Sequence, residues 1–303
     1  MSLKSSAPMF DDHPLRPRLV AIFDDLNQPA RSAQGIIDLK RLVDDEGDVL
    51  FHRDHVHNRQ STALHAWLTH SLKLLVSKPE HRLTAVEAMD VLMKVEYCEM
   101  SKRVELFYEQ LTIALIETAA TGKQQSSTQC IEVARVWGLV VEYGTGTGLL
   151  SAHVAQQLKE CEEWLIMDKL VSRRHVACLM IRQMILKVSS LVFSRLPVLI
   201  DRELWSALRD PSPDTRASAA ETHKSATLLL VTSVHPITDK VLESVFNTNH
   251  KTLQQKGKEV QHGALLALIH MFEALELVIP NSPGRLEVVA ASVREMRKYC
   301  VTH

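Results

Sequence analysis

Residues 52–54 read His-Arg-Asp, the triplet that carries the catalytic base in protein kinases, and that chemistry can be tested against the neighbouring positions. A kinase catalytic loop places Asn five residues after the Asp, where a second magnesium ion is held. Here that position is Arg59, and Asn58 falls one residue early. There is no D-F-G, no V-A-I-K and no glycine-rich strand, so the triplet reads as part of a polar loop and no phosphotransfer is expected of this chain. His52, Asp54, His55 and His57 have the donor chemistry of a zinc or other borderline-metal site. No second cluster completes such a site, and clustered histidines in a loop are most simply solvated, so no metal or cofactor is expected. Gly144-Thr145-Gly146-Thr147-Gly148 resembles a phosphate cradle only in composition. It lacks the following Lys-Ser/Thr and comes after a helical pattern rather than a strand.

No G-x-S-x-G occurs, and a catalytic triad could arise only from residues scattered along the chain. His175 and His270 lie within apolar helical patterns, where a histidine is ordinarily a hydrogen-bonded core residue. Arg173, Arg174, Asp210 and Arg216 carry more information. In stacked helical hairpins, arginines and aspartates at such positions form a ladder of charge-assisted hydrogen bonds. They are expected to serve architecture first and partner contact second.

These residues need a scaffold, and the composition describes one. The 303 residues are 46% hydrophobic and 5% aromatic, with only 10 Gly and 11 Pro, and Leu, Val, Ala, Ser and Glu are the commonest residues. This is helix-forming composition with enough apolar mass for a large core. Apolar residues recur at helical spacing almost throughout, with no period-2 segment between turn residues, which predicts roughly 70% helix. Thirty-five Lys plus Arg against 36 Asp plus Glu leave a formal charge of −1, removing the electrostatic drive toward nucleic acid or anionic membranes. The five cysteines, Cys98, Cys130, Cys161, Cys178 and Cys300, form no C-x-x-C and fit reduced thiols in a cytoplasmic or nuclear protein. The most apolar run, 264–272, is too short to span a bilayer and contains His270, so no transmembrane segment is expected.

The helical patterns come in pairs. The clearest pair is a helix near 197–208, a break at Asp210-Pro211-Ser212-Pro213, and a helix over 214–232. The same grammar, a turn, then a polar or basic anchor, then a small residue, recurs along the chain. Arg31, Arg82, Thr128, Arg174, Arg216 and His262 are followed by Gly35, Ala85, Cys130, Ala177, Ala219 and Ala264, at anchor spacings of 51, 46, 46, 42 and 46. Two helices per period of about 40–47 residues is the signature of armadillo/HEAT repeats, in which a hairpin buries its apolar face only against a neighbouring hairpin. The expected fold is therefore an all-α solenoid of about six HEAT-like hairpins over 18–281. A short arm, 1–17, precedes it and a capping helix, 282–303, follows. Ser282 and Pro283 open that last helix, Arg297 and Lys298 end it, and Leu286, Val289, Val293, Met296 and Cys300 form one stripe. The polar segment 44–59 and the Gly-rich segment 143–151 are expected to be loops between repeats.

With these elements in order, the chain resembles the N-terminal HEAT region of the target-of-rapamycin (TOR) kinases, within the phosphatidylinositol-kinase-related family. Residues 172–187, SRRHVACLMIRQMILK, resemble the family's Arg-Arg-His-Ala-Ala helix; 209–221, RDPSPDTRASAAE, its Asp-Pro turn with Arg-x-x-Ala-x-x-Ala; and 261–275, QHGALLALIHMFEAL, its His-Gly-Ala-Leu-Leu segment. Phe107-Tyr108-Glu109-Gln110-Leu111 and Glu163-Trp164-Leu165 fall in the matching order. The resemblance covers 82–303; between Leu111 and Glu163 the chain is shorter than the family pattern by about one hairpin, and 1–80 match nothing in it. The resemblance implies a scaffold that holds TOR-complex subunits or an adjacent helical solenoid on a concave surface, with catalysis in a domain absent from this chain. Three readings stand at this point: such a segment of a TOR-like serine/threonine kinase, a stand-alone HEAT/armadillo-type adaptor, and a helical enzyme with a scattered site. The first two place the chain in the cytoplasm, or in the nucleus or on endomembranes through its partners.

Overall fold

The computed structural model describes residues 13–51, 59–94, 100–120, 126–146, 148, 150–166, 171–233 and 238–278. Among them there is no strand. Two compact units divide the chain, Met1–Ser151 and Ala152–His303. The segment 282–303, with its Leu286–Cys300 stripe, lies outside the described residues, as do 1–12.

The first unit holds three helical hairpins: α1 (Arg16–Leu26) with α2 (Ser32–Phe51), α3 (Arg59–Ser77) with α4 (Arg82–Met93), and α5 (Met100–Ala120) with α6 (Ser126–Gly146). The second helices stack in chain order, α2 on α4 and α4 on α6, while α3 packs on α5. In the second unit α7 (Ser151–Ile166) precedes α8 (Val171–Lys187). A broken helical run, Ser189–Leu208, then precedes α12 (Pro213–Thr232), and α13 (Thr238–Leu253) precedes α14 (Lys258–Glu276). Again the second helices form the stack, α8 on α12 and α12 on α14. The molecule is an all-α solenoid of stacked hairpins, and every anchor read from the sequence falls between one residue before and the fifth residue of a second helix.

The local causes are clearest at α12. Ser212 caps it, accepting from the Thr215 N–H at 3.4 Å, Pro213 occupies its first turn without costing a hydrogen bond, and Asp214 faces the positive end of the helix dipole. The first two turns share a different design. Gln28 donates to the Asp25 carbonyl, Arg31 to Gln28 and Gly35 to Arg31; adding 50 to each number gives the bonds of the second turn, Lys78 to Leu75, His81 to Lys78 and Ala85 to His81. Pro29 and Pro79 are equivalent, so the backbone period is 50 and Arg31 superposes on His81 rather than on Arg82. The sequence spacing of 51 paired side-chain types, which is one residue out of backbone register.

Small residues mark the crossings between helices: Ala85, Ala177, Ala219, Ala264 and Cys130 are fully buried. Larger apolar side chains fill the rest, among them Phe23 edge-on to Trp67 at 5.0 Å in the first unit, and Trp137, whose indole N–H reaches Thr112 Oγ1 at 3.0 Å.

Parts of two expected loops are helical instead, 44–51 and 143–146, while 52–58 lie outside the described residues. α2 continues through Asp44 to Phe51, broken only by a kink at Glu46 (φ −140°, ψ 23°). Its run of acids is solvated rather than helix-breaking, and Leu50 is buried beyond the kink. α6 continues through Gly144 to Gly146, with Thr145 Oγ1 bonded back to the Val141 carbonyl at 2.8 Å. The helix expected over 197–208 is present in pieces: α9 (Ser189–Val192), a 3₁₀ turn (Phe193–Arg195), α10 (Leu196–Val198), a π-helical turn (Leu199–Glu203) and α11 (Trp205–Leu208). Pro197 supplies no N–H, and the Leu204 N–H reaches the Leu199 carbonyl five residues back, the signature of a π-turn. The wider turn lets Leu199, Ile200, Glu203 and Leu204 all face the interior. No single helix among the described residues is long and apolar enough to cross a membrane; α8 and Ser189–Leu208 reach that length together, bent by 119°.

Candidate protein-binding surface

The second helices present two rows of charged side chains, and the first row lies at the turns. Arg82 donates from Nε to the Val76 carbonyl, 3.1 Å away and six residues back, and from Nη2 to Glu117 at 2.5 Å. Arg216 also reaches back six residues, donating to the Asp210 carbonyl at 2.6 Å, and its Nε meets His262 Nδ1 of the next hairpin at 3.0 Å. Arg31 spans the same interval to the Asp25 carboxylate at 3.1 Å. Arg174 comes from the preceding hairpin to bond Asp210 at 2.6 Å, and Asp210 Oδ1 accepts from the Ser212 N–H at 2.8 Å. Asp210 has a wholly buried side chain, so its charge is held by an arginine and a backbone N–H, as a buried carboxylate requires. Of the four residues singled out in the sequence, Arg174, Asp210 and Arg216 thus meet in one network. Arg173 does not join it; its guanidinium lies 5.7 Å from the Trp164 ring centroid.

The second row stands two helical turns further on and escaped the sequence reading. Asp90, Arg182, Lys224 and His270 each follow an anchor by eight residues, a regularity that was available in the sequence. In the first unit Arg135 joins Asp90 across α6 and α4 at 3.3 Å. In the second, Arg182 joins Glu221 at 2.9 Å and Lys224 joins Glu273 at 2.7 Å, tying α8 to α12 and α12 to α14. His270 Nδ1 lies 2.9 Å from the same Glu273 carboxylate, and the Lys224 and His270 hydrogen bonds hold Glu273 below the usual carboxylate range. Leu186, Leu265 and Ile269 are exposed on α8 and α14. The result is a surface of paired charges with apolar side chains among them. Its physical chemistry suits recognition of another protein surface: aligned charges fix register and exposed aliphatics supply area.

Beneath this surface His223 is fully buried, and burial, reinforced by His270, pushes its pKa down to about 4. Burial also lowers His175, against the opposing pull of Asp214 and Asp210. Cys161 and Cys178 are buried and their thiols are pushed far up by burial. They are packing groups rather than nucleophiles.

The other chemical motifs resolve differently. His52, Asp54, His55 and His57 lie outside the described residues. Among the described residues no three His, Cys, Asp or Glu side chains converge on a point that could hold a metal ion. The Gly-rich run is the carbonyl end of α6: Gly148 takes φ +79°, and Gly148 and Leu150 donate back to Thr145 and Gly144. A helix C-terminus presents negative partial charge, the wrong pole for a phosphate.

This geometry defines the class: a helical-repeat protein whose organised surface is built from stacked second helices. Among the described residues there is no strand that could carry the lysine or the glycine-rich loop of a protein-kinase fold. No family model matches the sequence. Over 129 residues, 43% of this chain, it is 26% identical to the serine/threonine-protein kinase tor1 of Schizosaccharomyces pombe. The matched stretch is 6% of that relative's length.

Proposed function

We propose that the chain is a protein-binding scaffold, the HEAT-repeat segment of a TOR-like serine/threonine kinase, and that its partners are subunits of a TOR complex or an adjacent helical solenoid in the cytoplasm. The observation that carries this reading is the stack of second helices bearing two charged rows, combined with the similarity to the tor1 kinase. Such a stack has surface for a partner. The test mixes the purified chain with purified subunits of a TOR complex and follows co-sedimentation. Co-migration of at least one subunit is expected, weakened by Arg182→Glu with Lys224→Glu. Absence of co-migration with every subunit overturns the assignment of partners. Incorporation of labelled phosphate by the chain alone, abolished by Asp54→Asn, overturns the scaffold reading itself.

A further inference from the structure

Inside the second unit the forward side of each second helix lies under the next one. Thr222 Oγ1 of α12 donates to the Cys178 carbonyl of α8 at 2.9 Å, and Arg216 of α12 meets His262 of α14. Counted by burial, α14 repeats α12 at an interval of 45: Ala264, Leu268 and Leu275 are buried as Ala219, His223 and Leu230 are. On the forward side the match ends. Ala220, and Cys178 at the same place on α8, are 0% exposed, whereas Leu265 is 42% exposed. Val231 is buried and its counterpart Glu276 is exposed. Where α8 and α12 carry Arg182 and Lys224, which join Glu221 and Glu273 of the next helix, α14 carries Ile269, 40% exposed.

The helix thus ends the described stack with an open apolar side. It packs on α11, α12 and α13, while Leu265 and Ile269 stand one turn apart on the side that its predecessors bury, and Leu277 is exposed at its end. From Leu265 to Leu277 that side runs about 18 Å. The stripe read in the sequence that follows, Leu286, Val289, Val293, Met296 and Cys300, runs about 21 Å when helical. A helix with one apolar stripe is stabilised mainly by the surface it packs on.

We infer that residues 282–303 close this end of the stack as a helix laid antiparallel on α14, with Val293 against Ile269, Met296 against Leu265 and Leu286 toward Leu277. The tether sets the direction. Ser282 follows Leu277 by five residues, a reach of about 18 Å at most. The start of α14, a 19-residue helix, lies about 28 Å from its end, so the segment can begin only at that end and run back. Ser282-Pro283 repeats Ser212-Pro213, the cap that opens α12. With Ile269 in place of a cation, the covering helix needs an apolar residue there instead of an acid, and Val293 is one. A second copy would compete from solution, but so short a tether holds the segment at an effective concentration of order millimolar. Leu265 and Ile269 also belong to the surface proposed above, so a partner that uses them has to displace the segment. The inference rests on how α14 packs and not on that surface, and the two can fail separately.

The test uses the whole chain with Cys300→Ser and two cysteine pairs, Ile269→Cys with Val293→Cys and Ile269→Cys with Ala291→Cys, the latter on the opposite side of the inferred helix. A disulfide forms readily only where Cα atoms come within about 7 Å. Under mild oxidation at low protein concentration the Val293 pair is expected to close within one chain roughly tenfold faster than the Ala291 pair, seen as a faster band on a non-reducing gel. Equal rates for the two pairs, or no closure, overturn the inference. So does a band of twice the mass without the intrachain one, which gives the face to a second copy. A stability measurement reads the same contact without cysteines. Leu265→Asp is expected to lower the thermal midpoint by about 2–4 °C in the otherwise unchanged chain, and by less than about 1 °C when Val293→Asp is already present. Equal losses in the two backgrounds, or none in either, overturn it as well. Co-sedimentation of TOR-complex subunits beside a failed closure would leave the scaffold reading standing and remove this cap alone.

Discussion

The α3–α4 hairpin of the first unit and the hairpin of the second unit that ends in α12 solve the same problem with arginines that look alike in sequence. Arg82 and Arg216 both reach six residues back across a proline-containing turn to a carbonyl. They differ in what happens to the carboxylate. Glu117, which answers Arg82, has a side chain 47% exposed. Asp210, in the turn gripped by Arg216 and bonded by Arg174, has one that is 0% exposed. Water can replace Arg82 around Glu117, but nothing replaces Arg174 around Asp210. The turn geometry is therefore common to both units, while the energetic dependence on charge is concentrated in the second.

The sharpest way to break this contrast is Asp210→Ala, which leaves Arg174 and the Ser212 N–H short of an acceptor in a buried place while the carbonyl that Arg216 meets stays. It is expected to cost about 3–5 kcal/mol in urea unfolding, and a cost below about 1 kcal/mol would show that the rung is solvated. The glycines repeat the contrast at the backbone. A Cβ on Gly263 would stand 1.7 Å from the Leu208 carbonyl oxygen, so α14 would have to part from α11. On Gly35 it would meet the buried Leu26 methyl at 2.9 Å, the Leu26 backbone nitrogen at 3.0 Å and the Ile22 carbonyl oxygen at 3.2 Å. Gly263→Ala is expected to cost about 3 kcal/mol, the upper end of overpacking. For Gly35→Ala a gain in helix propensity of about 1 kcal/mol offsets part of the crowding, so the cost is expected to be smaller than at Gly263.

Acid should also separate the units. A histidine whose folded pKa is lowered contributes stability that is complete above its unfolded pKa, near 6.5, and lost as pH falls toward the folded value. For His223, held near 4, the loss at pH 5 is about 2 kcal/mol, with His175 adding in the same direction. Trp67 and Trp137 report on the first unit and Trp164 and Trp205 on the second. Trp→Phe pairs therefore show which unit loosens between pH 6.5 and 4, and the second is expected to loosen first; His223→Leu should flatten its profile. The smallest effect is expected of Glu117→Ala, at about 0.2–1 kcal/mol. A loss matching that of Asp210→Ala would erase the distinction between the two hairpins.

Much of the fold was legible because hairpin stacking constrains residue types at few places: a turn, a polar or basic residue, a small residue. Those three gave the positions of all six second helices. Backbone register was less legible, since side-chain matching aligned Arg31 with Arg82 while the hydrogen bonds align it with His81. Acidic and glycine-rich stretches misled, because a solvated helix tolerates 44–51, and Gly144 and Gly146 lie within a helix whose cap is Gly148. The π-turn at Leu199–Glu203 leaves almost no signal, as it depends on how Pro197 and the surrounding apolar residues pack. Of the surface, the anchors Arg174, Asp210 and Arg216 were readable. The row eight residues further on was present in the sequence but unread, because each member takes its meaning from a partner on another helix.

The six-residue reach of Arg31, Arg82 and Arg216 has a consequence for how such a chain varies over time. An arginine that must meet a group six positions earlier acts as a ruler laid across the turn. One residue inserted or deleted there moves the acceptor by more than 3 Å and rotates the next helix off its apolar stripe. Those turns are closed to length change. Insertions and deletions between this protein and its relatives are expected to accumulate outside those turns.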